Sequence, residues 1–304
     1  MTRPVASAIA SPGPIKAWWV AARPPTLTIA IVPVLVGTAL AWHEGAAIQW
    51  LAAAVALCAA VLIQIGTNLY NDVGDFERGA DRADRLGPPR ATSMGWLAAA
   101  DVRRAAATSF GLAMVLGAYL VSVGGWPIFA VGLASIAAGI GYTGGPRPIA
   151  YTPSGEFFVF VFFGLVATVG SYFLQAGRLS WASAAAGGMI GALAAAVLVV
   201  NNYRDLESDR RSGKITLAVR IGYAATRIEF ATLVVLPFVA LPLLAALTGT
   251  GLWMLLPAAL APIALLLIRD LARAPISQGL NALLKRTARL ELVFGLLVCA
   301  ALVV

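Results

Sequence analysis

The sequence predicts an all-α polytopic membrane protein: a bundle of about nine transmembrane helices, with its N-terminus cytoplasmic and its C-terminus external. Three observations carry this reading. Of 304 residues, 60% are hydrophobic and only 12% charged, where a soluble domain carries about 25% charged residues. Mean hydropathy is +0.84, more apolar surface than a soluble core can hide. The apolar residues fall in long runs, and the basic residues gather in alternate loops between them.

A membrane helix needs roughly 20 mostly apolar residues, whereas a membrane strand needs about 10 that alternate. Nine runs meet the helical requirement. The first, about 24–42, begins after Arg23. The second, about 48–70, leads into a loop holding Arg78, Arg82, Arg85, Arg90, Arg103 and Arg104. Runs at about 102–122 and 126–144 follow, then Arg147, then runs at about 156–176 and 181–203. The next loop holds Arg204, Arg210, Arg211, Lys214, Arg220 and Arg227, and runs at about 227–247 and 251–269 come after it. Arg269, Arg273, Lys285, Arg286 and Arg289 precede and enter the last run, about 286–304.

With Arg3, Lys16 and Arg23 at the start, every Lys and Arg except Arg178 falls on one face of a nine-span layout. Basic loops stay cytoplasmic, which sets the orientation, and one missed span would scramble the segregation. Residues 1–304 form one membrane domain, with 1–18 expected as a flexible N-terminal segment. No cleavable signal peptide is evident, because the apolar stretch 5–10 is short and Ser11-Pro12-Gly13-Pro14 breaks it. The spans preceding the two large basic loops sit four helices apart, which hints at a pseudo-repeat. Gly187, Gly188 and Gly191 suit close helix packing.

Net charge is +8, but the charges lie in short loops between apolar runs, so no nucleic-acid partner is expected. Cys58 and Cys299 lie apart in apolar runs and read as packing residues. His43 is expected in a solvated loop, and one histidine builds no metal cluster.

Most informative is where the acids went. Of 14 Asp and Glu, five lie at Asp72, Asp75, Glu77, Asp81 and Asp84, and three at Asp205, Glu207 and Asp209. Both groups occupy the cytoplasmic end of a membrane helix. On a helix, Asn68, Asn71, Asp72 and Asp75 fall at i, i+3, i+4 and i+7, and Asn201, Asp205 and Asp209 at i, i+4 and i+8, with Asn202 beside them. Like charges at that spacing repel, so something must compensate. Oxygen ligands without His or Cys select hard ions, and Mg²⁺ completes its shell with phosphate oxygens. Two such stripes suit a diphosphate held between hard metal ions, Mg²⁺ or Ca²⁺. Arg23, Arg78, Arg147, Arg211 and Lys214 lie near enough in sequence to hold the remaining phosphate oxygens, with Arg23, Arg147 and Lys214 favoured as neighbours of helix ends.

These segments resemble the paired Asp-rich motifs of the UbiA superfamily of intramembrane aromatic prenyltransferases. Its NDxxD motif is matched by Asn71-Asp72-Val73-Gly74-Asp75, and its DxxxD motif by Asp205 to Asp209. Finer features look like the 1,4-dihydroxy-2-naphthoate branch of the menaquinone pathway. They are Arg78-Gly79-Ala80-Asp81, Arg85-Leu86-Gly87-Pro88-Pro89-Arg90, Tyr142 through Pro148, Gly155-Glu156-Phe157, Phe162-Phe163-Gly164, Gly170 through Gln175, and Asn201 through Asp205 running on to Gly213-Lys214-Ile215. Ile215 departs from the basic residue found in many relatives.

The resemblance implies nine helices, a cytoplasmic site and Mg²⁺-dependent transfer of a polyprenyl chain from polyprenyl diphosphate to 1,4-dihydroxy-2-naphthoate in the bacterial inner membrane, with loss of CO₂ and diphosphate. It implies Mg²⁺ held by Asn71, Asp72, Asp75, Asp205 and Asp209 and catalytic roles for Asp72, Asp75, Asp205, Asp209 and Lys214, with Tyr142 facing an allylic cation or packing at a helix end. Diphosphate contacts are implied for Arg23, Asn68, Arg78, Arg147 and Lys214. Phe158, Phe160, Phe162 and Phe163 either line a tunnel for the prenyl tail or face lipid. The alternatives are another acceptor (4-hydroxybenzoate, homogentisate or haem) and a cation-coupled transporter, which also sets carboxylates among membrane helices.

Overall fold

The computed structural model describes residues 12–81 and 85–304. Arg3, the apolar stretch 5–10, Arg82 and Asp84 lie outside the described residues. Among those described there is helix and no strand.

Helix α1 (Pro14–Ala22) starts on a proline, which at the first helical position loses no bond and arrives with its φ already set. Residues 14–18, within the N-terminal segment expected as flexible, are helical. The chain bends by 46° through Arg23 and the 3₁₀ turn Pro24–Thr26 into α2 (Thr28–His43). Next come α3 (Trp50–Glu77) and α4 (Ala99–Thr143). At 1.5 Å per residue α4 would run about 68 Å if straight, over twice the hydrocarbon thickness. It breaks at Gly125, whose φ of 70° and ψ of −160° only glycine adopts readily. The chain folds back there: a Cβ on Gly139 would sit 3.4 Å from the Phe110 ring. The run thus supplies two of the expected spans.

A composite span follows: α5 (Gly155–Val159), a π-helical stretch Phe160–Val166, and α6 (Ala167–Ala176). Then come α7 (Trp181–Arg211), α8 (Leu217–Thr248), a 3₁₀ stretch Gly251–Leu260 leading into α9 (Ala261–Arg273), and α10 (Leu280–Val303). Six helices are long and apolar enough to cross a membrane, seven with the bent α1–α2 pair. The fold-back divides α4 in two. Helix α10, charged at Lys285, Arg286, Arg289 and Glu291, completes a bundle of nine helices among the described residues.

Helix α7 is the axis of the bundle, buried along most of its length, while the other spans keep apolar sides exposed. Its Ala and Gly content explains this, since small residues let neighbouring backbones approach. A Cβ on Gly164 would fall 2.5 Å from Gly187 O and from Gly191 Cα, and one on Gly191 would fall 2.5 Å from Phe160 O. Gly187 and Gly191 therefore do serve packing. Larger side chains fill the rest of the core, among them Leu193, Tyr203, Phe230, Leu241 and Phe294.

Exposed Trp42, Trp50, Trp126, Trp181 and Trp253 all lie at helix ends or turns opposite the acidic segments, as tryptophans do at a membrane interface. His43 is not a solvated loop residue. It ends α2, and its two ring nitrogens lie 2.9 Å from Leu302 O and 2.9 Å from Thr248 O, tying α2 to the ends of α10 and α8. Arg178, the one Lys or Arg on this face among the described residues, lies 2.7 Å from Glu44 Oε2. The cluster of acids sits at the other end, where α3 and α7 terminate.

Candidate active site

Helices α3 and α7 bring both acidic segments to one cavity of about 270 Å³. Its mouth is lined by Arg23, Asn68, Asn71, Asp75, Asp81, Arg85, Arg90, Asn201, Asn202, Asp205, Asp209 and Lys214. Below the mouth the walls become apolar, with Ile29, Ile63, Phe158, Phe162, Phe163 and Val197. The π-helical stretch belongs to this wall: Phe158 and Phe162 stack 5.9 Å apart at 13° and, with Phe163, face the cavity. Phe160 does not line it.

The segments are bonded to each other. Lys214 Nζ lies 2.9 Å from Asp75 Oδ1 and 4.6 Å over the Tyr151 ring, and the Tyr151 hydroxyl donates to the same oxygen at 3.0 Å. Asp75 Oδ2 accepts from Arg90 Nη2 at 2.8 Å. Arg85 bridges the two sides, with Nη1 3.3 Å from Asp81 Oδ1 and Nη2 4.0 Å from Asp205 Oδ2. Fully buried Arg204 grips Asp205 with Nε at 2.8 Å and Nη2 at 2.5 Å, and it also bonds Asn201 and Asn281. Burial pushes the Asp81 carboxyl up to about 7, against the pull of Arg85, and it raises the Tyr151 hydroxyl as well.

Several sequence expectations need correction. Asp72 does not line the cavity. Its Oδ2 accepts from Ala91 N at 3.2 Å and its Oδ1 from Thr92 N at 3.1 Å, so it anchors the loop that delivers Arg90. At about 100° per residue, Asn68, Asn71 and Asp75 fall within about 60° of arc while Asp72 lies beyond that stripe. Arg147 is exposed and away from the cavity. Arg78, also exposed, donates to Gly145 O at 2.6 Å and lies 5.7 Å over the Tyr151 ring, holding the 144–151 turn against α3. Ile215 is 55% exposed. Asn71 lines the cavity and its Oδ1 accepts from the Thr143 hydroxyl. Tyr142 lines the cavity.

Arg23 is the one non-glycine residue among those described with positive φ, 54°. Such a conformation costs about 1–3 kcal/mol and persists where the surroundings impose it. Asn68 Nδ2 imposes it here, donating to Ala22 O at 2.9 Å and Thr26 Oγ1 at 3.2 Å on either side of the turn.

Sequence reasoning missed the roles of Arg85, Arg90, Tyr151 and Arg204. The acids expected to need metal ions are already compensated in part by these cations, and among the described residues no three His, Cys, Asp or Glu side chains are grouped to hold a metal ion. Yet three charged groups at the mouth keep buried atoms without partners: Arg23 Nη2, Arg90 Nη1 and Asp81 Oδ2. Two of these seek an anion and one seeks a cation. The mouth sets four cations (Arg23, Arg85, Arg90, Lys214) against four carboxylates (Asp75, Asp81, Asp205, Asp209). A diphosphate entering alone would leave its charge uncompensated in a poorly solvated place. The oxygen-only donors fit a hard divalent ion entering with it.

A helical membrane bundle with a charged mouth over an apolar barrel defines a protein that handles an amphipathic anion at the bilayer surface. The chain belongs to the UbiA prenyltransferase family, which residues 30–288 match. It is 40% identical over 291 residues to a Mycobacterium tuberculosis 1,4-dihydroxy-2-naphthoate octaprenyltransferase, covering 94% of this chain and 96% of that one. It is 37% identical to the Escherichia coli protein of the same name, covering 93% of each. A UbiA homolog from Archaeoglobus fulgidus bound to GPP and Mg²⁺ shares the fold, with a TM-score of 0.66 at 16% identity over 95% of this chain and 100% of that one.

Proposed function

We propose that this chain transfers a polyprenyl group from polyprenyl diphosphate to 1,4-dihydroxy-2-naphthoate, releasing diphosphate and CO₂ and forming demethylmenaquinol, the reduced form of demethylmenaquinone. The observation that carries the reading is the Lys214–Asp75 closure over a cavity that is charged at its mouth and apolar below. Such a cavity divides as the donor does, into an anionic head and a hydrocarbon tail. The names of the relatives favour naphthoate over 4-hydroxybenzoate, homogentisate or haem. Basic residues at the site's end support a position at the cytoplasmic face of the bacterial inner membrane.

In this mechanism Asn71, Asp75, Asp81, Asp205 and Asp209 supply the oxygens for Mg²⁺, which when bound neutralises charge on the leaving diphosphate. Arg23 and Arg90 turn their unpartnered nitrogens to the phosphate oxygens, and Lys214 and Arg85 add charge at the same end. Phe158, Phe162 and Phe163 hold the tail out of water. The C–O bond of the donor breaks, its electron pair leaves with diphosphate, and an allylic cation remains. Tyr142, at the junction of mouth and barrel, turns its ring to that cation. An electron-rich ring carbon of the naphthoate forms the new C–C bond, and loss of the carboxylate as CO₂ with re-aromatisation completes the exchange.

The test is to supply membranes bearing the chain with Mg²⁺, a polyprenyl diphosphate and each of the four acceptors in turn. Prenylated product from the naphthoate, with diphosphate released only when acceptor is present, supports the reading. Product from a different acceptor, or no product from any, rejects it.

A further inference from the structure

Gln64 on α3 lines the apolar part of the cavity and is 7% exposed, yet its Oε1 is buried with no partner and no described residue hydrogen bonds to its amide. The other side-chain amides of the cavity are engaged. Asn68 holds the Arg23 turn, Asn71 accepts from Thr143, Asn201 pairs with Asn202, and Asn202 donates to Glu156 at 2.7 Å. Nearby hydroxyl protons are also committed, from Thr67 to Ile63 O at 2.8 Å and from Ser135 to Val131 O at 2.8 Å. An amide left unpaired in an apolar wall is costly and calls for an explanation.

A ligand is the natural partner, and its chemistry follows from position. Gln64 lies on the Asn68–Asn71–Asp75 side of α3, one turn deeper than Asn68 and about 16 Å along the axis from Asp75. That is too deep for a diphosphate held at the mouth. A prenyl tail has no polar atom to offer. A ring hydroxyl on the aromatic acceptor both donates and accepts, as a carboxamide does, and an amide matches it whichever way its O and N are turned. A carboxylate would draw little from a neutral amide here compared with the arginines above.

We propose that Gln64 determines acceptor specificity by hydrogen bonding, through its side-chain amide, to a ring hydroxyl of the aromatic acceptor. This rests on the prenyl-transfer reading above. The acceptor that wild type uses is established first, which separates failure of the naphthoate assignment from failure of this one.

The experiment compares wild type, Gln64→Leu and Gln64→Asn in purified form with that acceptor and with an analogue lacking the ring hydroxyl remote from the carboxylate. Gln64→Leu is expected to raise KM for the hydroxylated acceptor about tenfold or more, to leave donor KM within about twofold, and to erase the preference over the analogue. Its ligand-free melting temperature is expected to equal or exceed that of wild type, because an unpaired polar group has been removed. Gln64→Asn, with its amide drawn back, is expected to fall between the two. Unchanged acceptor KM and preference in Gln64→Leu would overturn the proposal. So would a rise confined to donor KM, or a lowered melting temperature with acceptor discrimination intact.

Discussion

Lys214 Nζ lies 2.9 Å from Asp75 Oδ1, so the residue that follows the second acidic segment closes onto the first. The two halves of the mouth are thereby tied before any ligand arrives, and the ammonium waits where a phosphate oxygen would enter. Lys214→Met is expected to lower kcat/KM for prenyl transfer by about 100-fold or more, the scale on which a positioned charge acts. Lys214→Arg should recover part of it. Steady-state kinetics at saturating Mg²⁺ read both.

Asp72 and Asp75 are expected to fail differently. Asp75→Asn should abolish transfer while the protein still inserts, and it should also lower the melting temperature, because Lys214 and Arg90 lose the buried carboxylate they pair with. Asp72→Asn weakens two backbone hydrogen bonds to a buried carboxylate, each worth about 1.5–3 kcal/mol. It should lower the melting temperature and leave residual turnover with an unaltered Mg²⁺ requirement. Residual turnover and its Mg²⁺ requirement separate them, and complete loss of turnover in Asp72→Asn at normal stability would put Asp72 back among the metal ligands.

This pair shows how far the sequence could be read. Asp75, Asp205 and Asp209 were legible because helical periodicity places them on facing stripes, and Asn68 and Asn71 came with them. Asp72 shares the motif but not the arc, and i, i+4 spacing alone does not separate a cavity-facing acid from one turned to a returning loop. Arg85, Arg90 and Tyr151 arrive on irregular segments that fold back over the helix ends, where no period marks them. Arg147 stands beside a helix end in sequence, yet its side chain is directed outward. The nine spans were legible from length and hydropathy. The π-helical turn at Phe160–Val166 was not, since it is set by how Gly164 meets α7.

Stability should carry a pH signature from Asp81. Its carboxyl rises from an ordinary 3.8 to about 7 in the folded chain through burial. Between those values the folded protein holds a proton that the unfolded chain has lost, so this group's contribution to stability falls as pH rises from about 4 to about 7. Without ligands, the melting temperature of wild type relative to Asp81→Asn should decline across that window and level off above it. A difference that is flat or rising with pH would contradict the burial argument.

Gly164→Ala places a methyl 2.5 Å from backbone atoms of α7, which cannot rotate aside. The span must shift outward, at a cost of about 1–3 kcal/mol, and Phe158, Phe162 and Phe163 move with it. Lower melting temperature is expected together with weaker binding of long-chain donors relative to short ones, read from KM across a series of prenyl diphosphates.

Binding of an unreactive prenyl thiodiphosphate to the purified protein, titrated with and without Mg²⁺ in wild type, Asp75→Asn and Asp209→Asn, goes to the centre of the account. Tight binding is expected only for wild type with Mg²⁺ present, with each substitution alone removing it. Equal affinity without the metal, or full affinity in both variants, would contradict it.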